Sequence, residues 1–342
     1  MPPKGKGGKK GKGKGGKKGK KGAASADPNE DPPEKVLRAM IKGYTDVCEK
    51  EQQEPIASFL LKLKRLYQDE EPKLPDRLVI SEPVGPRAFA LLTSMLVSSE
   101  WKNVKAILLW KADLRDEGFK EVQALLKKWP DCRRIELLDC RLTAHSCACL
   151  ATDFQGDLNL DSLTLDYNPI GDEGVRILAN SLASFGRCPN LSVAYCGLGP
   201  ESGVYLADFL LSTDKLVTLN LQGNSLGPEG VIALAGGIRD TRTLVSLNLR
   251  GNSFGHDSDC VAALNEGISS NESLRELDLS LNPMNEACGR MLLETLKGKQ
   301  MTKLAFSEKF SAELYQELMG TVKAGKKGKK GKGKKGKKGK KR

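Results

Sequence analysis

The chain has 342 residues, 39% of them hydrophobic and 29% charged, with a formal net charge of +12. No apolar run approaches the ~20 residues needed to cross a bilayer, and the N-terminus lacks the apolar stretch of a secretory leader. Membrane insertion is therefore not expected. We expect an intracellular protein whose nine cysteines, an odd count, stay reduced.

The charge is unevenly placed. Residues 1–22 hold ten Lys and nine Gly, and residues 323–342 hold twelve Lys and one Arg, with no acidic residue in either stretch. These ends carry 23 positive charges, so residues 23–322 sum to about −11. The body is acidic, with a cationic brush at each end. Gly and Lys bury no apolar surface to offset chain entropy, and like charges repel, so both tails are expected to be disordered. Lys9, Lys10, Lys17, Lys18, Lys326, Lys327, Lys329, Lys330, Lys334 and Lys335 are the candidate polyanion-binding residues. The candidate polyanions are nucleic acid, an anionic membrane surface and the acidic tails of tubulin; the bland alternative is that the tails only raise solubility. With no aromatic residue to stack on bases, the tails would bind by counterion release, with strong salt dependence and little sequence discrimination. A Met-Pro-Pro start is not the Met-Gly of a myristoylation signal.

Residues 1–33 read as the basic tail and a Pro-rich acidic linker. Residues 34–76 read as a helical N-terminal cap. Val36, Met40, Tyr44 and Val47 recur at helical spacing, as do Phe59, Leu60, Leu63 and Leu66. Two amphipathic helices there would cover the open end of the repeat array beyond residue 76, or dock a partner.

A unit written Leu-x-Leu-x-x-Asn-x-Leu fills the middle of the chain. Its Asn position falls at Ala112, Cys140, Asn168, Cys196, Asn224 and Asn252, at intervals of 28, and then at Asn282, 30 further on. Three positions earlier stand Leu109, Leu137, Leu165, Val193, Leu221, Leu249 and Leu279. A period held that long means a solenoid, in which each unit buries its apolar face only by stacking on its neighbours. The stretch 216–234 is the cleanest copy and resembles the leucine-rich repeat, in its ribonuclease-inhibitor-like subfamily. That resemblance implies an α/β solenoid: a horseshoe with a parallel sheet on the concave side, helices outside, and about eight units over residues 77–322. The terminal units, around Leu78 and Ile80 and around Leu304 and Phe306, are degenerate. Cys at 140 and 196 fits the Asn/Cys variation of the family. The family serves as inhibitors, GTPase activators, sensors and scaffolds, so it implies fold more than task.

Strand positions alternating with the buried leucines should face the inside of the horseshoe. The candidate partner-binding residues there are Leu108, Trp110, Arg134, Glu136, Leu138, Asp166, Asn220, Gln222, Asn248, Arg250, Glu276 and Asp278. Most are polar, as a solvated face requires. Leu108, Trp110 and Leu138 depart from that rule, and an exposed Trp is a favoured interface anchor. Either the cap or the linker folds over them, or they centre a partner site.

No catalytic signature is present: no phosphate-binding loop, no Gly-x-Ser-x-Gly and no His-Glu-x-x-His. His145 and His256 read as exposed polar residues. Cys147 and Cys149, two apart on a helix, point in different directions and make a poor metal site. No cofactor and no enzymatic activity are expected. The segment 104–118 places Trp-Lys where a strand ends, and resembles the matching repeat of the ciliary family of leucine-rich repeat-containing protein 71. The Lys/Gly-rich ends are similar to those of many flagellar axoneme proteins. Both resemblances imply an adaptor in the cytoskeleton of a cilium or flagellum, tethered to microtubules. The alternatives are an RNA-tethered nuclear or nucleolar adaptor, and an enzyme regulator such as an inhibitor or a GTPase activator.

Overall fold

The computed structural model describes residues 31–155, 159–184, 186–307 and 309–322. The Lys residues proposed for polyanion binding, in 1–22 and 323–342, lie outside them. Two helices come first, α1 (Pro33–Lys50) and α2 (Ala57–Tyr67). Strands and helices then alternate: β1 (Arg77–Ile80), α3 (Pro86–Ser98), β2 (Ala106–Trp110), α4 (Arg115–Lys128), β3 (Arg134–Leu138), α5 (Ala144–Gln155), β4 (Ser162–Thr164) and α6 (Gly171–Ser184). The second half holds β5 (Asn190–Ser192), α7 (Pro200–Ser212), β6 (Thr218–Asn220), α8 (Gly227–Asp240), β7 (Ser246–Asn248), α9 (Ser258–Ser270), β8 (Glu276–Asp278), α10 (Glu286–Lys297), β9 (Lys303–Ala305) and α11 (Ala312–Gly320).

The strands form one parallel sheet in chain order, β1 to β9, each paired only with its sequence neighbours. The register repeats the sequence period: Ile107 lies beside Ile135, Ile135 beside Leu163, and Leu219 beside Leu247. The expected count of about eight units becomes nine strands, because both degenerate ends, at Leu78 and at Leu304, form strands. Strands sit about 4.8 Å apart while helices need 8–10 Å, so such a chain curves with its sheet inside.

The core lies between the two layers. Burial alternates along each strand, with Ile107 and Leu109 buried and Leu108 only half-buried between them. Helices answer with one apolar face each, such as Leu206, Phe209 and Leu210 on α7 and Val231, Leu234 and Ile238 on α8. Pro200 and Pro228 sit in the first turns of those helices, where a missing N–H costs nothing. Helix starts are also tied between units. Asp172 accepts from the Gly199 and Ser202 N–H groups at 2.8 and 3.1 Å, and Asp116 accepts from those of Thr143 and Ser146 at 3.1 and 3.2 Å. Burial pushes the Asp116 carboxyl up, but its bonds from Ser146 and Thr143 outweigh this and hold it below the ordinary aspartate range.

At the first end, α1 packs on α3 and α2 on β1. A chain of aromatic contacts seats these helices: Tyr44 meets Phe59 edge-on, Phe59 meets Trp101, and Trp101 meets Trp129 at 5.2 Å. The indole of Trp129 donates to the Trp101 carbonyl at 2.9 Å, and that of Trp101 to the Pro75 carbonyl at 2.8 Å. At the far end, α11 buries Leu314 and Leu318 beside Phe306 and Phe310. Among the described residues, no helix is long and apolar enough to cross a membrane.

Candidate functional site: the open face and rim of the sheet

The sheet face away from the helices carries every predicted partner-binding residue, and parallel register arranges them in lanes. One lane runs from Trp110 to Leu138 in direct register; its neighbour sets Leu108 beside Glu136. Trp110 is 50% exposed, so among the described residues neither α1 nor α2 folds over it. Leu108 and Leu138 are half-buried. Lys111 holds its ammonium 5.2 Å from the centre of the Trp110 ring, a cation–π contact.

The remaining residues of the face bond largely to one another. Arg134 donates to Glu136 on the same strand. Asp166 accepts from Ser192 Oγ at 2.6 Å and the Ala194 N–H at 2.9 Å. Burial pushes its carboxyl above the usual range, and those two bonds only partly oppose the shift. Asn220 donates to Ser192 Oγ, Asn248 to Gln222 Oε1 and Gln222 to the Tyr195 hydroxyl, at 2.8, 3.2 and 2.8 Å. Further along, Arg250 donates to Ser280 Oγ at 3.0 Å, Ser246 Oγ to Glu276 at 3.1 Å, and Ser280 Oγ to Asp278 at 2.6 Å. The polar part of the face is thus pre-ordered, and Leu108, Trp110 and Leu138 are left without such bonds.

Sequence alternation did not single out the rim just beyond the strands. The residue before each Asn position has a left-handed backbone in seven consecutive units: Lys111, Asp139, Tyr167, Tyr195, Gly223, Gly251 and Leu281, with φ between 52° and 68°. Gly223 and Gly251 were the signal in the sequence, since glycine favours positive φ. Tyr167, Tyr195 and Leu281 instead present large exposed side chains there, at 53%, 40% and 61% exposure.

The arrangement offers no chemistry beyond binding that can be read from its groups. Among the described residues, no three metal-ligating side chains gather. His145 and His256 are exposed and lie on different units. Cys147 is buried and Cys149 half-buried on α5. Burial pushes the thiols of Cys140, Cys147 and Cys196 up to about 12, which keeps them as thiols rather than nucleophilic thiolates.

A parallel sheet in chain order, an open arc and a 28-residue unit with a buried Asn define the leucine-rich-repeat fold, generally a non-enzymatic, protein-binding one. The family model described as Leucine Rich repeat matches residues 157–179, 215–235 and 270–286. No curated protein matches the chain. Among solved structures, the leiomodin-1 actin-binding site 2 is similar at 11% identity and a TM-score of 0.37, over 52% of this chain and 86% of that one. The tropomodulin C-terminal domain of Caenorhabditis elegans gives 13% and 0.33, over 52% and 90%. A chain of the yeast Rad7 and Elc1 complex gives 14% and 0.32, over 82% and 90%. Likenesses this low carry no argument about what this chain binds.

Proposed function

We propose that this protein is a non-enzymatic adaptor of the cytoskeleton, in the axoneme of a cilium or flagellum. Its sheet face holds a protein partner at the patch centred on Trp110, and its Lys/Gly ends tether the complex to the acidic tails of tubulin. The observation that carries this reading is the segregation of charge: 23 cations at the two ends against a body of about −11. An acidic body repels an acidic filament, so tethering falls to the ends, and two weak contacts on one body gain avidity. Support for the ciliary setting comes from the resemblance of residues 104–118 to a ciliary repeat family.

A fluorescent fusion in a ciliated cell tests the setting. The expected signal lies along the axoneme and is lost when residues 1–22 and 323–342 are removed. Nucleolar signal would move the tether to RNA. With Trp110→Ala, proteins that co-purify with the tailless body should fall away while its melting temperature stays unchanged. Retention of every one of them would rule out the Trp110 patch.

A further inference from the structure

The rim carries a feature that the Trp110 patch does not use. Tyr167 and Tyr195 hold equivalent positions in consecutive units, and their rings stack 4.7 Å apart, within 7° of parallel. Both backbones are left-handed, at φ 63° and 56°, a conformation that strains any residue with a Cβ. The next units place Gly223 and Gly251 at this position. A Cβ on Gly223 would lie 2.1 Å from the Tyr195 ring, so the missing side chain is what lets that ring lie across the next unit. Glycine at 167 and 195 would form the same turn with less strain. The turn itself therefore does not call for two exposed rings.

Tyr195 is sandwiched between Tyr167 and Gly223. The ring face left open is that of Tyr167, toward the unit of Asp139, one strand spacing or about 4.8 Å away. Asp139 is exposed on the rim and Asp166 half-buried behind Tyr167. Neither carboxylate has a cationic partner among the described residues, whereas Glu136 is engaged by Arg134. Nearby cations are committed elsewhere: Lys111 to the Trp110 ring, Arg141 to Asp113 and Arg250 to Ser280.

We propose that this rim docks an arginine-bearing segment of a protein partner, its guanidinium flat on Tyr167 and forked toward Asp139. An open aromatic face beside the exposed carboxylate of Asp139 is complementary to a planar cation that stacks and donates at once. Lysine, a compact and strongly hydrated point charge, uses such a site less well. The chain's own ends hold one arginine, Arg342, among their 23 cations, so they are poor occupants. Nucleic acid bases would also stack on tyrosine, but their phosphates would then meet Asp139 and Asp166.

The test titrates full-length protein, carbon-13-labelled on its tyrosine rings, with a short peptide of alternating Gly and Arg. A Gly/Lys peptide of equal length and an oligouridine run in parallel. The Gly/Arg peptide should shift the Tyr167 and Tyr195 ring signals and bind several-fold more tightly than the Gly/Lys peptide. Tyr167→Gly should weaken it roughly fivefold while leaving the melting temperature equal or higher, and Asp139→Asn should weaken it too. Equal affinity for both peptides without ring shifts would overturn the proposal. So would stronger binding of the oligouridine at these rings, or a Tyr167→Gly variant that melts earlier yet binds the Gly/Arg peptide as before.

Discussion

Asn224 holds two units together with one side chain. Its Oδ1 accepts from the Cys196 and Leu198 N–H groups at 2.9 and 3.2 Å, and its Nδ2 donates to the carbonyls of Val193 and Leu221, both at 2.9 Å. Asn168 repeats the pattern with Cys140, Leu142, Leu137 and Leu165. This explains the residue type: a short amide is needed to serve both backbone donors and backbone acceptors where the strand ends. At Cys196 the thiol donates to the Leu165 carbonyl at 3.2 Å, so cysteine fills the slot with weaker bonds. Replacing Asn224 by Ala leaves the Cys196 and Leu198 N–H groups and the Val193 carbonyl without this partner, while the Leu221 carbonyl keeps its bond from Asn252 at 2.9 Å, and we expect a loss of about 3 kcal/mol in urea unfolding. A loss below about 1 kcal/mol would mean that water or backbone movement satisfies them instead.

Between elements, the spacing of helices is set by glycine. A Cβ on Gly203 would come 2.0 Å from the Gly230 carbonyl oxygen, so α7 and α8 approach backbone to backbone there. Since that obstacle is main chain, Gly203→Ala must push the helices apart and open the buried face of Leu206 and Leu234 between them. We expect a loss of about 2 kcal/mol, read as an earlier urea midpoint; an unchanged midpoint would show that the helix layer can slide at little cost. Strand positions were legible in the sequence because the buried leucines sit at a fixed period. The rim was not, because alternation of side chains describes a strand and ends where the strand does. Only Gly223 and Gly251 marked the left-handed turn, and reading Tyr167 and Tyr195 by analogy with them would have found the stacked pair. The bonds of Asp166 to Ser192, Gln222 to Tyr195 and Arg250 to Ser280 were likewise invisible: period places residues on a face but does not say which of them bond there.

For the whole molecule, the decisive property is the separation of recognition from tethering. Stacked units give the described body one continuous sheet of nine strands side by side, acidic overall, while the two chain ends carry cations with no acidic residue among them. Charge on the body and charge on the ends then respond differently to salt. Tethering by counterion release should decay steeply as ionic strength rises, while an apolar contact around Trp110 should not. The most direct measurement is co-sedimentation with microtubules across a salt series, using the full chain, a chain lacking residues 1–22 and 323–342, and microtubules stripped of their acidic tails. Pelleting should need both the Lys/Gly ends and the tubulin tails and should fall by at least about tenfold in affinity between low and physiological salt. A full-length chain that stays in the supernatant at low salt, or one that pellets equally well without its ends, would contradict it.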